Sequence, residues 1–191
     1  MARERKFTTE DVFLETKNIL LEQSYEGFTF GILAQRLDVS RGALYKYYDN
    51  KEELITEYML FEMDQFMKDL EKIHQYAGFH DQFDFLLETF FKYNKIHQIL
   101  GLSYEIPANT NKNVKRNKQQ LEQVHVEMYG HLGSFIQTGR REGLLRPELA
   151  DELILGFIFQ SIAIPNHFGI PQGEWMKMTK EFLSHGMFIK K

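Results

Sequence analysis

Residues 28–55 read FTFGILAQRLDVSRGALYKYYDNKEELI, and the order of apolar and polar positions predicts two short helices joined by a tight turn. Thr29 is the expected N-cap of the first helix, and Ser40 is the expected N-cap of the second. Ala34 and Leu44 belong to an apolar set that can pack between the two helices. Because Ala34 is small, the helices can approach each other closely.

The polar positions of the same segment fall on the side away from this apolar contact. A helix-turn-helix has this arrangement, because its second helix enters the major groove of DNA while the first helix braces it from behind. We therefore predict a DNA-binding helix-turn-helix. The residues expected to contact DNA are Thr29, Ser40, Arg41, Gly42, Ala43, Tyr45, Lys46, Tyr47 and Lys51.

Side-chain chemistry predicts which of these residues read bases. Arg41 can donate two hydrogen bonds to O6 and N7 of guanine, and Lys46 can bind guanine or a phosphate as a point charge. Ala43 can contact a thymine methyl group. Gly42 carries no side chain, so the start of its helix can come close to a phosphate or a base edge.

The other residues of the set are expected to bind phosphates. Thr29 and Ser40 lie at helix N-termini, where backbone N–H groups favour an anion. Tyr45 and Tyr47 offer hydroxyl groups, with rings that can stack or wedge. Lys51 begins the next helix and is expected to complete a phosphate clamp.

This segment resembles the signature of the tetracycline-repressor-like (TetR) regulators. The matching positions are Thr29, Leu33-Ala34, Val39-Ser40, Gly42, Leu44-Tyr45, Tyr47-Tyr48, and Lys51-Glu52 with Leu54. The resemblance implies a homodimer of all-helical subunits. Each subunit would have a small N-terminal DNA-binding domain and a larger C-terminal domain that binds an effector and forms the dimer.

Four positions depart from the pattern of the family. The turn residue that is usually Gly is Asp38, which can adopt a left-handed conformation at some cost. Ile32 replaces an acidic residue, and Tyr48 replaces the usual Phe. Gly31 weakens its helix by roughly 1 kcal/mol relative to Ala. None of these changes removes the scaffold.

Helical periodicity extends over almost the whole chain, and the first of its four prolines is Pro107. We expect an all-α protein with a three-helix DNA-binding domain over residues 1–50 and a helical effector-binding and dimerisation domain over 51–191. Capping boxes are predicted at Thr8 with Asp11 and at Asn50 with Glu53. The fourth helix should run from Lys51 to near His74. Further helices are predicted at about 81–98, 100–106, 114–141, 148–164 (with Pro147 and Glu148 opening it) and 172–189.

Net charge does not argue against a nucleic-acid partner, although the formal value is −4. Residues 36–51 contain four Lys or Arg against two Asp, so the local balance there is positive. Arg3, Arg5 and Lys6 could add a basic arm. A second basic run, formed by Lys112, Lys115, Arg116 and Lys118, is interpreted as a solvated loop or helix start and not as a second nucleic-acid site.

Composition also limits the other partners. The chain contains no Cys, so it has no disulfide and no Cys-ligated zinc. It contains no run of 18 or more apolar residues and no signal-peptide pattern. We therefore expect a cytoplasmic protein with no membrane partner, no metal and no cofactor.

The C-terminal part is rich in Phe, Met and Tyr, which form helical cores and also line adaptable ligand pockets. An apolar or aromatic small-molecule effector would then contact Met63, Phe66, Met67, Phe90, Tyr93, Tyr104, His125, Met128 and Phe159. The last two helices repeat apolar residues at helical spacing, as expected of a four-helix dimer interface. Its expected residues are Leu153, Phe157, Gln160, Ile164, Trp175, Met178, Phe182 and Ile189.

Two other classes of protein share parts of this pattern. Helical di-iron enzymes carry Glu-x-x-His pairs, and this chain has Glu71 with His74 and Glu122 with His125. Chance accounts for two such pairs in a chain with this many Glu and His residues. A helical protein-interaction module would have the amphipathic helices but no use for the outward Arg41, Tyr45, Lys46 and Tyr47. The regulator is therefore the favoured interpretation, and we expect no enzymatic activity.

Overall fold

The computed structural model describes residues 7–189, and about three-quarters of them are helical. Within this range the β-structure is one isolated antiparallel bridge between Leu145 and Phe188. The predicted all-α fold is confirmed. The α-helices are α1 (Thr9–Gly27), α2 (Phe30–Arg36), α3 (Arg41–Leu44), α4 (Lys51–Leu70), α5 (Phe79–Lys92), α6 (Asn94–Gly101), α7 (Lys112–Arg141), α8 (Asp151–Ser161) and α9 (Gln172–Met187), with 3-10 helices at Glu71–Gln75 and Leu102–Glu105.

Residue contacts divide the chain into two units. The N-terminal unit comprises the described chain as far as Met63 together with Lys95–Gln123. The C-terminal unit comprises Asp64–Asn94 and the described chain from Val124 onward. This division differs from a cut after residue 50, because helices α4 and α7 each contribute to both units.

The first helix begins with the predicted capping box. The Thr8 hydroxyl accepts a hydrogen bond from the Asp11 N–H at 3.0 Å, and the Asp11 carboxylate accepts one from the Thr8 N–H at 2.8 Å. Near its end the helix is kinked at Ser24, where φ is 58° and ψ is −174°. That backbone conformation is almost restricted to glycine, so Ser24 is strained.

The start of α4 confirms only half of the second predicted capping box. The Asn50 side chain accepts a hydrogen bond from the Glu53 N–H at 2.8 Å, as expected of an N-cap. The Glu53 carboxylate accepts from the backbone N–H of Asp49 at 3.0 Å and not from that of Asn50. Glu53 also receives the side-chain amides of Asn111 and Asn113, so its position is set by the neighbouring helix α7.

Several predicted helix boundaries in the C-terminal part are wrong. The helix expected over 81–98 is interrupted by a turn at Tyr93, which separates α5 from α6, and α6 ends at Gly101 within the helix expected over 100–106. The helix expected from Pro147 begins at Asp151. The guanidinium of Arg140 donates to the carbonyls of two residues of the intervening turn, Arg146 and Leu149, and thereby stabilises the turn instead of a helix.

Stacked phenylalanines form the centre of the C-terminal unit. The rings of Phe79 and Phe135 stack with centroids 4.7 Å apart, and Phe188 meets Phe79 edge to face at 5.4 Å. Gly139 on α7 makes room for this contact. A Cβ atom at that position would lie 2.6 Å from the ring of Phe79 and 2.7 Å from Leu145.

Ser24→Gly should raise the free energy of unfolding by about 1 kcal/mol, because glycine adopts the kinked conformation without strain. Ser24→Ala is the matched control, since alanine removes the hydroxyl and keeps the strain. Chemical denaturation of both variants measures the difference. Equal stabilities of the Gly and Ala variants would show that the kink at Ser24 is not strained.

Gly139→Ala should lower the free energy of unfolding by about 1–3 kcal/mol, because its methyl group would overlap the Phe79 ring and Leu145. Gly130→Ala on the same helix meets no atom within 4 Å and should raise stability by roughly 0.5–1 kcal/mol through helix propensity. Thermal denaturation compares the two variants. A stabilising Gly139→Ala would contradict the close approach described at this position.

Candidate nucleic-acid interface

The candidate interface is built on a scaffold formed by α2, α3 and the tight turn between them. Leu33 and Ala34 of α2 are buried, as are Leu44 of α3 and Tyr48 after it. The turn between the helices is closed at Asp38, which has a φ of 51°, as expected for a residue that replaces glycine in this turn. This scaffold fixes the direction in which residues 40–47 face.

The residues predicted to read DNA lie on the exposed side of this scaffold. Arg41, Gly42 and Lys46 are exposed, and Ala43 is half-buried. The α-helical part of α3 is short and ends at Leu44, after which a turn continues to Tyr47. Tyr47 and Tyr48 both donate their N–H groups to the carbonyl of Leu44, so the chain stays coiled through this turn.

The two outward tyrosines are supported from behind by phenylalanines. The ring of Tyr45 lies edge to face against Phe30, with centroids 4.9 Å apart, and 51% of Tyr45 is exposed. The ring of Tyr47 lies against Phe7 at 5.8 Å, and 47% of Tyr47 is exposed. These contacts limit the rotation of both rings, which lowers the entropy lost when such a surface binds a partner.

The two predicted N-caps differ in their hydrogen bonds. Thr29 accepts a hydrogen bond from the Ile32 N–H at 3.2 Å and caps α2 as predicted. Ser40 occupies the N-cap position of α3, but its side chain makes no capping bond. The prediction of a capping Ser40 hydroxyl is therefore wrong, because the chain places that hydroxyl on the exposed surface.

Lys51 has an internal partner that sequence reasoning missed. Its Nζ donates to the backbone carbonyl of Tyr25 at 2.8 Å and lies 4.1 Å from the centre of the Tyr25 ring. The Tyr25 hydroxyl donates to Glu52 at 2.7 Å, and burial together with this carboxylate raises the pKa of Tyr25. Lys51 therefore ties the start of α4 to the end of α1. The pattern of residues 28–55 gave no signal of this, because Tyr25 lies outside it.

Arg36 is also engaged inside the unit. Its guanidinium pairs with Glu15 at 3.4 Å and with Glu22, both on α1. The hydrogen bond from Arg36 lowers the pKa of the Glu22 carboxyl. Of the four cations in residues 36–51, Arg36 and Lys51 have partners within the unit, whereas Arg41 and Lys46 are exposed and form no ion pair or side-chain hydrogen bond with the described residues. Arg3, Arg5 and Lys6, the expected basic arm, lie outside the described residues.

Several residues of the expected effector site meet in the C-terminal unit. Phe66 contacts Phe90 and Tyr93 with ring centroids 5.7 and 5.3 Å apart. Phe90 stacks on Phe159 at 4.7 Å, and Tyr129 lies 5.1 Å from Phe159. We call these five residues the aromatic cluster.

The other expected effector residues have different environments. Met128 is buried and Met67 is half-buried in the C-terminal unit, where the exposed His125 meets Tyr129 at 5.3 Å. Met63 and Tyr104 belong to the N-terminal unit, and Tyr104 is 93% exposed. The structure therefore does not bring Tyr104 into the aromatic cluster, because its 3-10 helix leaves the ring on the surface.

A charged group lies at one edge of the aromatic cluster. The Tyr93 hydroxyl donates to the carboxylate of Asp69 at 2.8 Å, and Lys72 and Lys92 donate to the same carboxylate at 2.6 and 2.5 Å. Hydrogen bonds from Lys72 and Lys92 hold the pKa of Asp69 well below its usual range. The ring of Tyr93 is thus fixed through its hydroxyl.

The residues expected at a dimer interface are mostly exposed apolar side chains of α8 and α9 and the segments that follow them. Phe157 and Phe182 are 59% and 76% exposed. Gln160 is exposed, and Trp175 is half-buried. The remaining exposed members of this apolar face are Leu153, Ile164, Met178 and Ile189.

The residues of the rejected di-iron interpretation are not gathered into a site. Glu71, His74, Glu122 and His125 are all exposed. In residues 7–189, no group of three or more His, Asp or Glu side chains is placed to hold a metal ion. No helix in the same range has both the length and the apolar character needed to cross a bilayer.

Comparison with known proteins gives matches in both sequence and fold. Residues 15–58 match the family described as bacterial regulatory proteins, tetR family. An uncharacterised HTH-type transcriptional regulator of Bacillus subtilis (strain 168), YhgD, is 24% identical over 162 residues, which cover 79% of this chain and 82% of that protein.

Solved structures share the fold over nearly the full length. A protein from Saccharomonospora viridis described as a transcriptional regulator, in complex with choline, superposes with a TM-score of 0.76 at 13% identity and covers 95% of this chain and 98% of that one. The regulator FadR of Bacillus subtilis in complex with stearoyl-CoA gives 0.67 at 17% identity, covering 94% and 99%. Both of these proteins are described as transcriptional regulators. Residues 15–58, which contain the helix-turn-helix, therefore match the tetR family of bacterial regulatory proteins, and the chain shares the fold of these solved structures over nearly its full length.

Proposed function

We propose that this protein is a ligand-responsive repressor that binds a palindromic operator as a homodimer and is released from it by a small-molecule effector. The observation that carries the proposal is the outward face of residues 40–47, where Arg41 and Lys46 project beside two supported tyrosine rings. Such a face has the donors needed for base edges and phosphates. Its DNA partner would place the protein in the cytoplasm.

Base reading is assigned to the first turn of α3. The exposed Arg41 can reach O6 and N7 of a guanine, and the half-buried Ala43 can meet a thymine methyl group. Gly42 between them allows close approach of the backbone. Lys46 binds guanine or a phosphate, one turn further along the segment.

Phosphate contacts are assigned to the surrounding hydroxyls. The Tyr45 and Tyr47 rings are fixed by Phe30 and Phe7, so their outer edges can hydrogen-bond phosphates with little loss of freedom. Ser40 adds a hydroxyl that does not cap its helix, and Thr29 adds the N-terminus of α2. Lys51 supports the interface by bracing α1 against α4, and a phosphate contact would compete with its bond to Tyr25.

The homodimer is assigned to the apolar face of α8 and α9. Contiguous exposed apolar side chains are unusual on a monomeric protein and mark interaction surfaces. In a two-fold dimer, the same two helices of each partner would pack together as a four-helix interface. Dimerisation would then place the helix-turn-helix of each subunit on one of the two half-sites of a palindrome.

The effector site is assigned to the aromatic cluster. The rings pack directly against one another at centroid distances of 4.7–5.7 Å, so an apolar or aromatic effector would have to separate them. Two structural neighbours are described with small molecules bound, choline in one and stearoyl-CoA in the other. Helices α4 and α7 contribute to both units. A rearrangement of the rings would therefore favour a separation of the two helix-turn-helix segments of the dimer that does not fit the two half-sites of the operator.

Selection of binding sites from a random duplex pool tests the DNA-binding proposal. The wild-type protein should enrich a palindrome, with affinity that falls steeply as salt rises. Arg41→Ala should lose about 1–3 kcal/mol of binding free energy and relax the base preference at one position of each half-site. The measurement is a repeat of the selection, together with gel shifts on the enriched site.

Lys95→Ala is the matched control, because Lys95 is an exposed cation of the same unit that lies outside the outward face of residues 40–47, which we call the reading face. It should leave the selected sequence unchanged. An unchanged base preference in Arg41→Ala would contradict the base-reading role of Arg41. Failure of the wild-type protein to enrich any sequence would contradict the proposed function itself.

Phe182→Lys should convert the dimer into monomers, because it places a charge in the middle of the apolar face of α8 and α9. Sedimentation velocity measures the change in mass. Tyr104→Lys alters an even more exposed aromatic of the N-terminal unit and should leave the dimer intact. A Phe182→Lys protein that remains dimeric would place the interface elsewhere.

A further inference from the structure

We propose that the protein carries a second DNA contact at the start of α7, where Lys112, Lys115 and Arg116 bind backbone phosphates that flank the half-site read by α3. We call these three residues the α7 cationic patch. The inference rests on the proposed DNA-binding function and extends its surface beyond the helix-turn-helix. The sequence pattern of these residues indicated only a solvated loop or helix start. The proposal gives them a role in sequence-independent contacts to DNA.

The patch belongs to the same unit as the reading face. Residues 95–123 belong to the same compact unit as the helix-turn-helix. Helix α7 begins at Lys112, and its first turn is capped by Asn111, whose side chain accepts from the Val114 N–H at 2.8 Å. The position of the patch relative to α3 is therefore described within one unit.

Hydrogen bonds align the beginnings of α4 and α7. Glu53 on the first turn of α4 accepts from Asn111 at 3.1 Å and from Asn113 at 2.5 Å. Thr56 accepts from Asn117 at 3.1 Å, one turn further along both helices. Because residue numbers rise together along the two helices, α4 and α7 run in parallel and their N-termini lie at the same end.

The end at which α4 and α7 both begin lies directly after the reading face in the chain, because α4 starts at Lys51. The chain passes from Tyr47 through Asp49 directly into α4, and the N–H of Asp49 is bonded to the same Glu53 carboxylate that holds Asn111. The first turn of α7 is therefore a close neighbour of the segment that leaves the reading face. A cationic surface here continues the expected DNA-binding surface toward the flank of the half-site.

The three cations share the face of α7 that is turned away from the protein. Val114 and Asn117 are buried, and Asn113 bonds to α4, which defines the inner face of the helix. With 100° per residue, positions 112, 115 and 116 fall on the opposite face, and all three are exposed. Lys118 is different, because its Nζ donates to the carbonyls of Ser103 and Ile106 and stabilises the preceding 3-10 helix.

The cations in the first turn of α7 do not stabilise that helix. Cations near a helix N-terminus oppose the helix dipole, and the first turn of α7 contains no acidic residue to balance them. Within the described residues, neither Lys112 nor Lys115 forms an ion pair or a side-chain hydrogen bond. Arg116 is partly balanced: burial and Glu53 raise the pKa of Glu57, and Arg116 opposes that rise. Lys112 and Lys115 are thus the principal phosphate ligands of the patch.

The proposal predicts a specific dependence on DNA length and salt. A contact to flanking phosphates adds affinity only when the duplex extends beyond the half-sites, and each phosphate contact adds about 0.9 to the slope of log affinity against log salt. The double variant Lys112→Gln/Lys115→Gln should bind the minimal operator as tightly as wild type. On a duplex extended by ten base pairs at each side, it should bind about tenfold or more weakly, with a lower salt slope.

The control variant is Lys68→Gln/Lys95→Gln, which removes the same charge from two other exposed positions. It should retain the wild-type gain from extended DNA, and both variants should keep the wild-type base preference. Thermal melting confirms folding, and the Lys112→Gln/Lys115→Gln protein should melt no lower than wild type, because unfavourable charges are removed from the start of α7.

Two outcomes would overturn the proposal. If wild type and Lys112→Gln/Lys115→Gln gain equally from extended DNA, with equal salt slopes, the patch does not contact the flanks, while specific operator binding stands. If the wild-type protein selects no operator at all, the proposed function fails and the flank contact fails with it. Fluorescence anisotropy on the two duplex lengths, at several salt concentrations, distinguishes these cases.

Discussion

The carboxylate of Glu53 connects three parts of the N-terminal unit. It is 7% exposed and accepts hydrogen bonds from the Asp49 backbone and from the side chains of Asn111 and Asn113. Burying an ionised carboxylate is costly unless its oxygens are bonded, and here each oxygen has a donor. The exit of the helix-turn-helix, the start of α4 and the start of α7 are therefore held in one arrangement. The contact also fixes the segment that leaves the reading face, because Asp49 lies in that segment.

A second set of contacts fixes the same unit from the side of α1. Lys51 bonds to the carbonyl of Tyr25, and Arg36 pairs with Glu15 and Glu22. Both cations lie within the basic part of the sequence, yet their partners are internal. Within residues 36–51, the positive charge that remains for a nucleic acid is carried by Arg41 and Lys46. The overall net charge of −4 consequently says little about the surface that faces DNA.

The C-terminal unit has a different physical character. Its interior is built of stacked rings, and Gly139 allows Phe79 to approach α7 closely. The ring of Tyr93 is held at the edge of the aromatic cluster by Asp69, whose carboxylate also receives two lysines. The rings of the aromatic cluster lie in direct contact, with centroids 4.7–5.7 Å apart. The exposed apolar face of α8 and α9 is a separate feature of this unit.

The amino-acid sequence by itself determined the fold class and the helix-turn-helix. Apolar spacing is set by the period of a helix, and caps such as Thr8 and Thr29 act within four residues, so both kinds of signal are local. The outward direction of Arg41 and Lys46 followed from the same periodicity.

Only the tertiary structure decided which groups have partners far away in the chain. It assigned Lys51 to Tyr25 and Glu53 to Asn111 and Asn113, replaced the expected helix start at Pro147 by a turn that Arg140 stabilises, and left Tyr104 on the surface. It also brought the basic run at the start of α7 into the unit that carries the reading face. The physical reason is that these contacts join residues separated by up to about sixty positions, and neither helical period nor capping preference has that range.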